Sequence, residues 1–282
     1  MQLNVRKHQF QGTLMETGDR SFCLICVSGS EGGIIGAQMI ARAFYKKGIP
    51  SLAVAYFKTR QTAPALCEIP IELMEHAAGF LLNRGYARIG IYGFSKGAEF
   101  ALLSATQIPQ LSVVIASSPS CCVFEGFTSK KLSAGRSSWS WRGLPLPYIP
   151  MDGLTKELVL AKKRNHEFGF SAEYNVWLDS PCSDQASIPV EQIHGPVLLL
   201  SARDDEMWPS EQMGQRIVAR LQQHEFPYPV RHEVYSPASH LLCPIPVPIG
   251  FPFQAERMHP GACRAARASA LDLAVSWIRQ QL

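Results

Sequence analysis

Short, uninterrupted apolar runs that alternate with stretches of helical periodicity constrain this chain more than any other feature. Residues 21–28 (SFCLICVS) are apolar almost without a break, a pattern suited to a strand covered on both faces. A Gly-rich turn follows at 29–33. Apolar residues then recur at helical spacing over 34–47, and Gly48 ends the pattern. Residues 51–55 (SLAVA) predict a second buried strand, and 71–83 a helix with Pro70 near its start. Further strands are expected at 88–92, 111–116, 196–201 and 230–235. Helices are expected at 98–106, about 211–222 and 265–282. Hydrophobic residues make up 46% of the chain, ample for a core on both faces of a sheet. The order implies an α/β protein, a single domain over 1–282 with a mostly parallel sheet and helices on both faces.

The alternation breaks once. Between about 119 and 193 the chain becomes rich in Ser, Trp, Pro and Gly. Interruptions of this length in a compact domain are usually functional, and an inserted lid over the mouth of the sheet is expected here. Other classes are argued against. The net charge of +4 is too mild to drive nucleic-acid binding, and no dense Lys/Arg run is present. No stretch approaches the length of about 18 apolar residues that a membrane helix needs. The first residues lack the apolar core and cleavage site of a signal peptide. Of eight cysteines, Cys23 and Cys26 fall inside an apolar run and Cys121 and Cys122 are vicinal, poor geometry for a structural bridge. A reducing, cytoplasmic setting follows, with no metal and no cofactor.

Gly93-Phe94-Ser95-Lys96-Gly97 matches G-x-S-x-G. At average Gly and Ser usage the pattern arises by accident in roughly one chain in ten of this length. Its setting makes it specific, because a predicted strand (RIGIY) precedes it and a predicted helix (GAEFALLSA) follows. A sharp strand-to-helix turn exposes the serine hydroxyl, and flanking glycines let strand and helix approach. This is the nucleophile elbow of an α/β-hydrolase fold, in which the order is Ser, then acid, then His. Asp204, Asp205 and Glu206 follow the strand PVLLLS, and His240 follows VRHEVY; all sit where strand ends gather. Residue physics alone leaves the acid open among the three. His240 is favoured over its rival His259. His232 and His76 fall within a strand and a helix, His8 precedes the fold, His166 falls in the lid, and His194 and His224 read as loop or helix-end residues. The oxyanion donors are expected at the N–H groups of Lys96 and of Glu31, with Ser30 second.

These residues resemble a known family. GFSKGAE is similar to the elbow of the acyl-CoA thioesterase and bile acid-CoA:amino acid N-acyltransferase C-terminal domain. SGSEGG, LAVAYF, IPIE, WRGLPLPYIP, IPVEQIHGPVLLLSARDDEMWPS and SHLLCPIP match in the same order, so the resemblance covers about 20–282. In such sequences two residues separate the acid from a W-P-like pair. Glu206 and Met207 stand between Asp205 and Trp208-Pro209, which gives the acid's role to Asp205. The residue before the histidine is often Gly in the family; here it is Ser239. Many animal members carry a β-sandwich domain ahead of the hydrolase domain, for which the residues before Ser21 are too few. The elbow nucleophile is Cys in the amino-acid-conjugating branch and Ser in thioesterases, so Ser95 tilts the expectation toward hydrolysis.

The expected function is therefore hydrolysis of an acyl thioester or ester through Ser95, Asp205 and His240. Trp139, Trp141, Tyr148 and Trp208 are candidates to line the acyl pocket, with packing the competing role. Lys96 and Glu99 are expected to form a local ion pair. The alternatives are a dienelactone-hydrolase-like esterase or peptidase, an acyltransferase using an amine or alcohol, and a non-catalytic binding protein of the same fold.

Overall fold

The computed structural model describes residues 1–128, 132–165, 167–246 and 253–282. Its frame is an eight-stranded sheet. The N-terminal residues supply β1 (Gln2–Leu3), a one-turn helix α1 (Val5–His8) and β2 (Gln11–Met15). The continuous apolar runs become β3 (Phe22–Val27) and β4 (Ser51–Ala55), every residue of both buried. A short β5 (Ile69–Pro70) precedes β6 (Arg88–Phe94) and β7 (Leu111–Ser117). After a long segment carrying β8 (Trp139–Trp141) and β9 (Leu144–Pro145) come β10 (Val197–Ala202) and β11 (Val230–Tyr235). The sheet order is β1-β2-β4-β3-β6-β7-β10-β11. Pairing from β4 to β11 is parallel, and β2 joins β4 antiparallel.

Alternate residues of the central strands feed two apolar layers, as the period of two demands. Ile25, Ile91, Val114 and Leu199 pack on α3 (Glu72–Asn83), α4 (Lys96–Gln107) and α8 (Ser210–Gln223). Leu24, Tyr92, Ile115 and Leu198 pack on α2 (Ile35–Lys46) and α10 (Pro260–Gln280). Helix α4 lies so deep that all its residues but Gln107 are buried.

Register decides where the chemistry can be. Val27 pairs with Gly93, Phe94 with Ser117, Leu200 with Ser117, and Ala202 with Tyr235. The carboxyl ends of β3, β6, β7, β10 and β11 therefore finish along one edge, and the loops leaving them meet.

Three expectations change. The N-terminal residues are part of the sheet, and His8 sits in α1 between two strands, its ring edge-on to Phe80 at 5.4 Å. The described residues of 119–193 also carry more regular structure than the break in alternation predicts. They hold α5 (Lys156–Arg164), α6 (Ser171–Leu178), α7 (Ser183–Ala186) and a 3-10 turn (Val190–Gln192), and β8 and β9 form a small sheet with β5. Phe124, Trp139, Ile149 and Leu178 are buried in the same core as α4. His166 lies outside the described residues. A separate α9 (Gln254–Met258) precedes α10, which starts earlier than its periodicity suggested.

Candidate active site

Ser95 stands between β6 and α4 with φ 56° and ψ −124°, a conformation costly for a residue with a Cβ. The glycines of G-x-S-x-G are there because the approach is close. A Cβ on Gly93 would lie 2.0 Å from the Gly97 carbonyl oxygen, and one on Gly97 would lie 2.2 Å from that of Ser28. The Ser95 N–H donates to Ser117 O at 2.9 Å, which pins the turn to β7. Lys96 and Gly97 open the helix, so their N–H groups have no carbonyl one turn earlier to meet.

His240 joins the serine to an acid. Its Nε2 is 2.8 Å from Ser95 Oγ, and its Nδ1 is 2.9 Å and 3.0 Å from the two carboxylate oxygens of Asp205. All three side chains are buried. Asp205 Oδ1 also accepts from the N–H groups of Met207 and Trp208, at 3.0 and 3.2 Å, so the turn after β10 fixes the carboxylate. The neighbouring acids are turned to other work. Asp204 accepts from Ser236 Oγ and Ala238 N, tying this turn to the histidine loop, and Glu206 accepts from Gln254 N at 2.5 Å. The His240 carbonyl accepts from Ser118 Oγ at 2.7 Å, and its ring meets Trp208 edge-on at 5.5 Å and Phe94 at 5.4 Å. His259 is exposed at the start of α10.

The Gly-rich turn after β3 lies against the nucleophile. A Cβ on Gly29 would sit 3.2 Å from Ser95 Cβ. Tyr56 Oη reaches the carbonyls of both Ser28 (2.9 Å) and Gly29 (2.7 Å), and Lys58 Nζ reaches that of Glu31 at 3.1 Å. Gly33 N donates to Phe57 O at 2.9 Å, and together these bonds fix the turn beside the nucleophile. Ser30 and Glu31 are exposed at its tip.

The aromatic candidates separate. Trp208 packs on the histidine as above, and its buried indole N–H has no hydrogen-bond partner among the described residues. Trp139 is fully buried, stacks on Phe100 at 4.5 Å and donates to Glu99 Oε1 at 2.6 Å, which is core packing behind the elbow. Trp141 is half-buried beneath the Arg142 guanidinium at 4.3 Å, and half-buried Tyr148 packs at the edge of the same core.

Sequence reasoning missed the extent of one network. The Lys96–Glu99 pair is wholly buried, with Nζ 2.9 and 3.1 Å from the carboxylate oxygens. Lys96 Nζ also donates to Ser138 Oγ (3.0 Å) and Phe124 O (3.4 Å), and Glu99 accepts from Phe124 N at 3.2 Å. Burial lowers the Lys96 ammonium's pKa and raises that of the Glu99 carboxyl. The i,i+3 spacing announced the pair; its partners across the insertion left no local signal.

An eight-stranded, mostly parallel sheet with a serine elbow at its carboxyl edge defines the α/β-hydrolase class. The chain belongs to the BAAT / acyl-CoA thioester hydrolase C-terminal family, whose model matches residues 69–260. It is 26% identical over 205 residues to the acyl-coenzyme A amino acid N-acyltransferase 2 of Rattus norvegicus, covering 71% of this chain and 44% of that one. It is 25% identical over 230 residues to the peroxisomal succinyl-coenzyme A thioesterase of Mus musculus, covering 78% and 50%. The chain thus spans about half the length of the curated relatives it matches. Among solved structures it is similar to a putative dienelactone hydrolase from Klebsiella pneumoniae, with TM-score 0.56, 15% identity and coverage of 96% and 93%. The acylaminoacyl peptidase of Pyrococcus horikoshii gives TM-score 0.60 at 13% identity, covering 97% and 40%. Both likenesses concern the fold. Among the described residues, no helix is long and apolar enough to cross a membrane, and no group of three or more His, Cys, Asp or Glu could hold a metal ion.

Proposed function

We propose that this protein is a serine hydrolase acting on acyl thioesters, with acyl-CoA as the substrate class. The observation that carries the reading is the unbroken line Ser95 Oγ, His240, Asp205 at hydrogen-bond distances, all buried. His240 Nε2 takes the Ser95 proton as Oγ attacks the thioester carbonyl, and Asp205 holds the tautomer with the proton on Nδ1. The N–H groups of Lys96 and Glu31 receive the developing oxyanion, with Ser30 as the alternative donor in that turn. The positive end of α4 favours the same charge. Collapse of the tetrahedral species expels the thiol, which leaves with the proton from His240. Water, activated by the same imidazole, then releases the acid.

Trp208, buried against the histidine, is the aromatic side chain best placed to face the acyl group. Within 119–193, taken as an insertion in one domain, Tyr174 meets Trp208 edge-on at 5.5 Å and Phe170 N donates to Met207 O, so this part walls the site. Transfer of the acyl group to an amine is the second reading, favoured by the N-acyltransferase relatives. A serine nucleophile supports hydrolysis by family resemblance. The deciding test is intact mass and product analysis with a panel of acyl-CoAs and p-nitrophenyl esters, wild type beside Ser95→Ala. An acyl adduct at Ser95 donated by the acyl-CoA, and free acid as product, are expected, and an amide formed only with added amine would move the function to transfer. Acylation by simple esters alone would make the protein a carboxylesterase.

A further inference from the structure

One pair of reactive side chains takes no part in the proposed chemistry. Cys121 and Cys122 follow β7, and their sulfurs lie 3.7 Å apart. Cys122 Sγ is also 3.7 Å from the Ser183 carbonyl oxygen and 3.8 Å from its hydroxyl. Both cysteines line a cavity of about 270 Å³ that Arg216 and Arg220 also border. A water molecule occupies about 30 Å³ of liquid, so the cavity admits a small peroxide. Burial pushes the thiols of Cys23, Cys26, Cys67, Cys243 and Cys263 up. Cys122 differs: the hydrogen bond from the Cys121 thiol draws it below the usual thiol range, while Cys121 itself is raised. The Ser183 hydroxyl at 3.8 Å is a second possible donor to Cys122 Sγ alone, and two donors around one sulfur give it the character of an attacking thiolate and its neighbour that of a resolving thiol.

We propose that Cys121 and Cys122 form an oxidative-modification site that accepts a small hydroperoxide and closes reversibly to a vicinal disulfide. With hydrogen peroxide, the Cys122 thiolate attacks one peroxide oxygen, the O–O bond breaks, and the departing hydroxide takes a proton to become water. Cys122 is then a sulfenic acid. The Cys121 sulfur attacks it, the S–S bond forms, the S–O bond breaks, and the hydroxide leaves as water with the Cys121 proton. Two thiols are oxidised and one peroxide is reduced to two waters.

Closure is strained. The sulfurs must move from 3.7 Å to about 2.05 Å. The ring so formed contains the 121–122 peptide, whose Cys121 carbonyl accepts from Ile188 N at 2.9 Å, while the Cys122 carbonyl accepts from Ser120 Oγ at 2.6 Å. A strained bridge of this kind is the easily reduced type. One end of the segment touches the candidate active site, where Ser118 Oγ bonds the His240 carbonyl, and at the other Phe124 N bonds Glu99 in the first turn of the helix that follows Ser95. Closing the bridge therefore slows reaction at Ser95, an effect that rests on Ser95 being the nucleophile.

The test is peptide-level mass mapping of the full chain after limited hydrogen peroxide, with a dimedone trap for sulfenic acid. The 121–122 peptide is expected to lose two hydrogens and to regain them with dithiothreitol. In Cys121→Ser, dimedone is expected on Cys122; in Cys122→Ser, no adduct is expected on Cys121. An oxidised wild-type protein whose 121–122 peptide keeps its mass, or whose bridge maps to another cysteine pair, overturns the site. Fluorophosphonate labelling of Ser95 is expected to be several-fold slower in the bridged protein and restored on reduction. Equal rates before and after overturn the link to the active site. Failure of the reduced protein to label would count against Ser95 instead, and the mass map would still decide the site.

Discussion

At the scale of single residues, the arrangement around Ser95 separates roles that adjacent identical side chains could not reveal. Asp204 and Asp205 differ only in which way the turn after β10 points them. Asp205 faces His240 and is fixed by two backbone N–H groups, while Asp204 reaches the histidine loop. Asp205→Asn should therefore lower kcat by on the order of 10⁴-fold, because the imidazole loses the acceptor that sets its tautomer. Asp204→Asn should cost far less, since an amide oxygen still accepts from Ser236 and Ala238. Steady-state kinetics on an activated ester compare the two; equal losses would remove Asp205 from its proposed role. Ser95→Ala should abolish the acyl-enzyme and lower turnover by at least about 10³-fold. Residual turnover close to wild type would mean the nucleophile lies elsewhere.

Elements carry the next set of consequences. The first turn of α4 places Lys96 and Glu99 in the core, where Phe124, Ser138 and Trp139 complete their hydrogen bonds. Removing one partner strands a buried charge, so Lys96→Met alone should destabilise by roughly 3–5 kcal/mol. The double variant Lys96→Met/Glu99→Leu should recover much of that loss, because both desolvation costs disappear together. Urea unfolding reads both, and a double variant as unstable as the single would refute the charge argument. His232 on β11 offers a pH test. Its Nε2 is 2.8 Å from Ser201 Oγ, and burial lowers its pKa below the ordinary 6.5. In the window between the lowered folded value and 6.5 the unfolded chain binds more protons. Stability should thus be full above that window and fall as the pH drops through it. His232→Gln should flatten this slope in unfolding measured from pH 8 down to pH 5. An unchanged slope would assign the acid sensitivity to another group.

Across the whole molecule, the sheet is held at one margin by residues whose sequence barely announces them. β2 adds antiparallel to β4, Phe10 and Leu14 are buried beside it, and β1 completes the margin. Deleting residues 1–20 would leave the edge of β4 bare and expose apolar side chains worth about 1.5–3 kcal/mol each. A lower melting temperature and an earlier size-exclusion elution are expected; an unaltered melting temperature and elution volume would show this margin to be dispensable. β1 and β2 escaped the sequence reading because QL is too short for any pattern and QGTLM alternates too weakly. The central strands were legible because burial on both faces permits only apolar residues, and the elbow because G-x-S-x-G needs two missing Cβ atoms at fixed spacing. The chain alone therefore determined the parallel core, the nucleophile candidate and the order serine, acid, histidine among the candidates, which rest on local composition and spacing, while the family resemblance pointed to Asp205. Tertiary structure decided that Asp205 rather than its neighbours meets the histidine, that Trp139 serves the core while Trp208 meets His240, and that the described residues of 119–193 pack into the fold. Those outcomes depend on contacts between segments far apart in the chain, and a side chain's direction across such a contact is set by the packing of both partners.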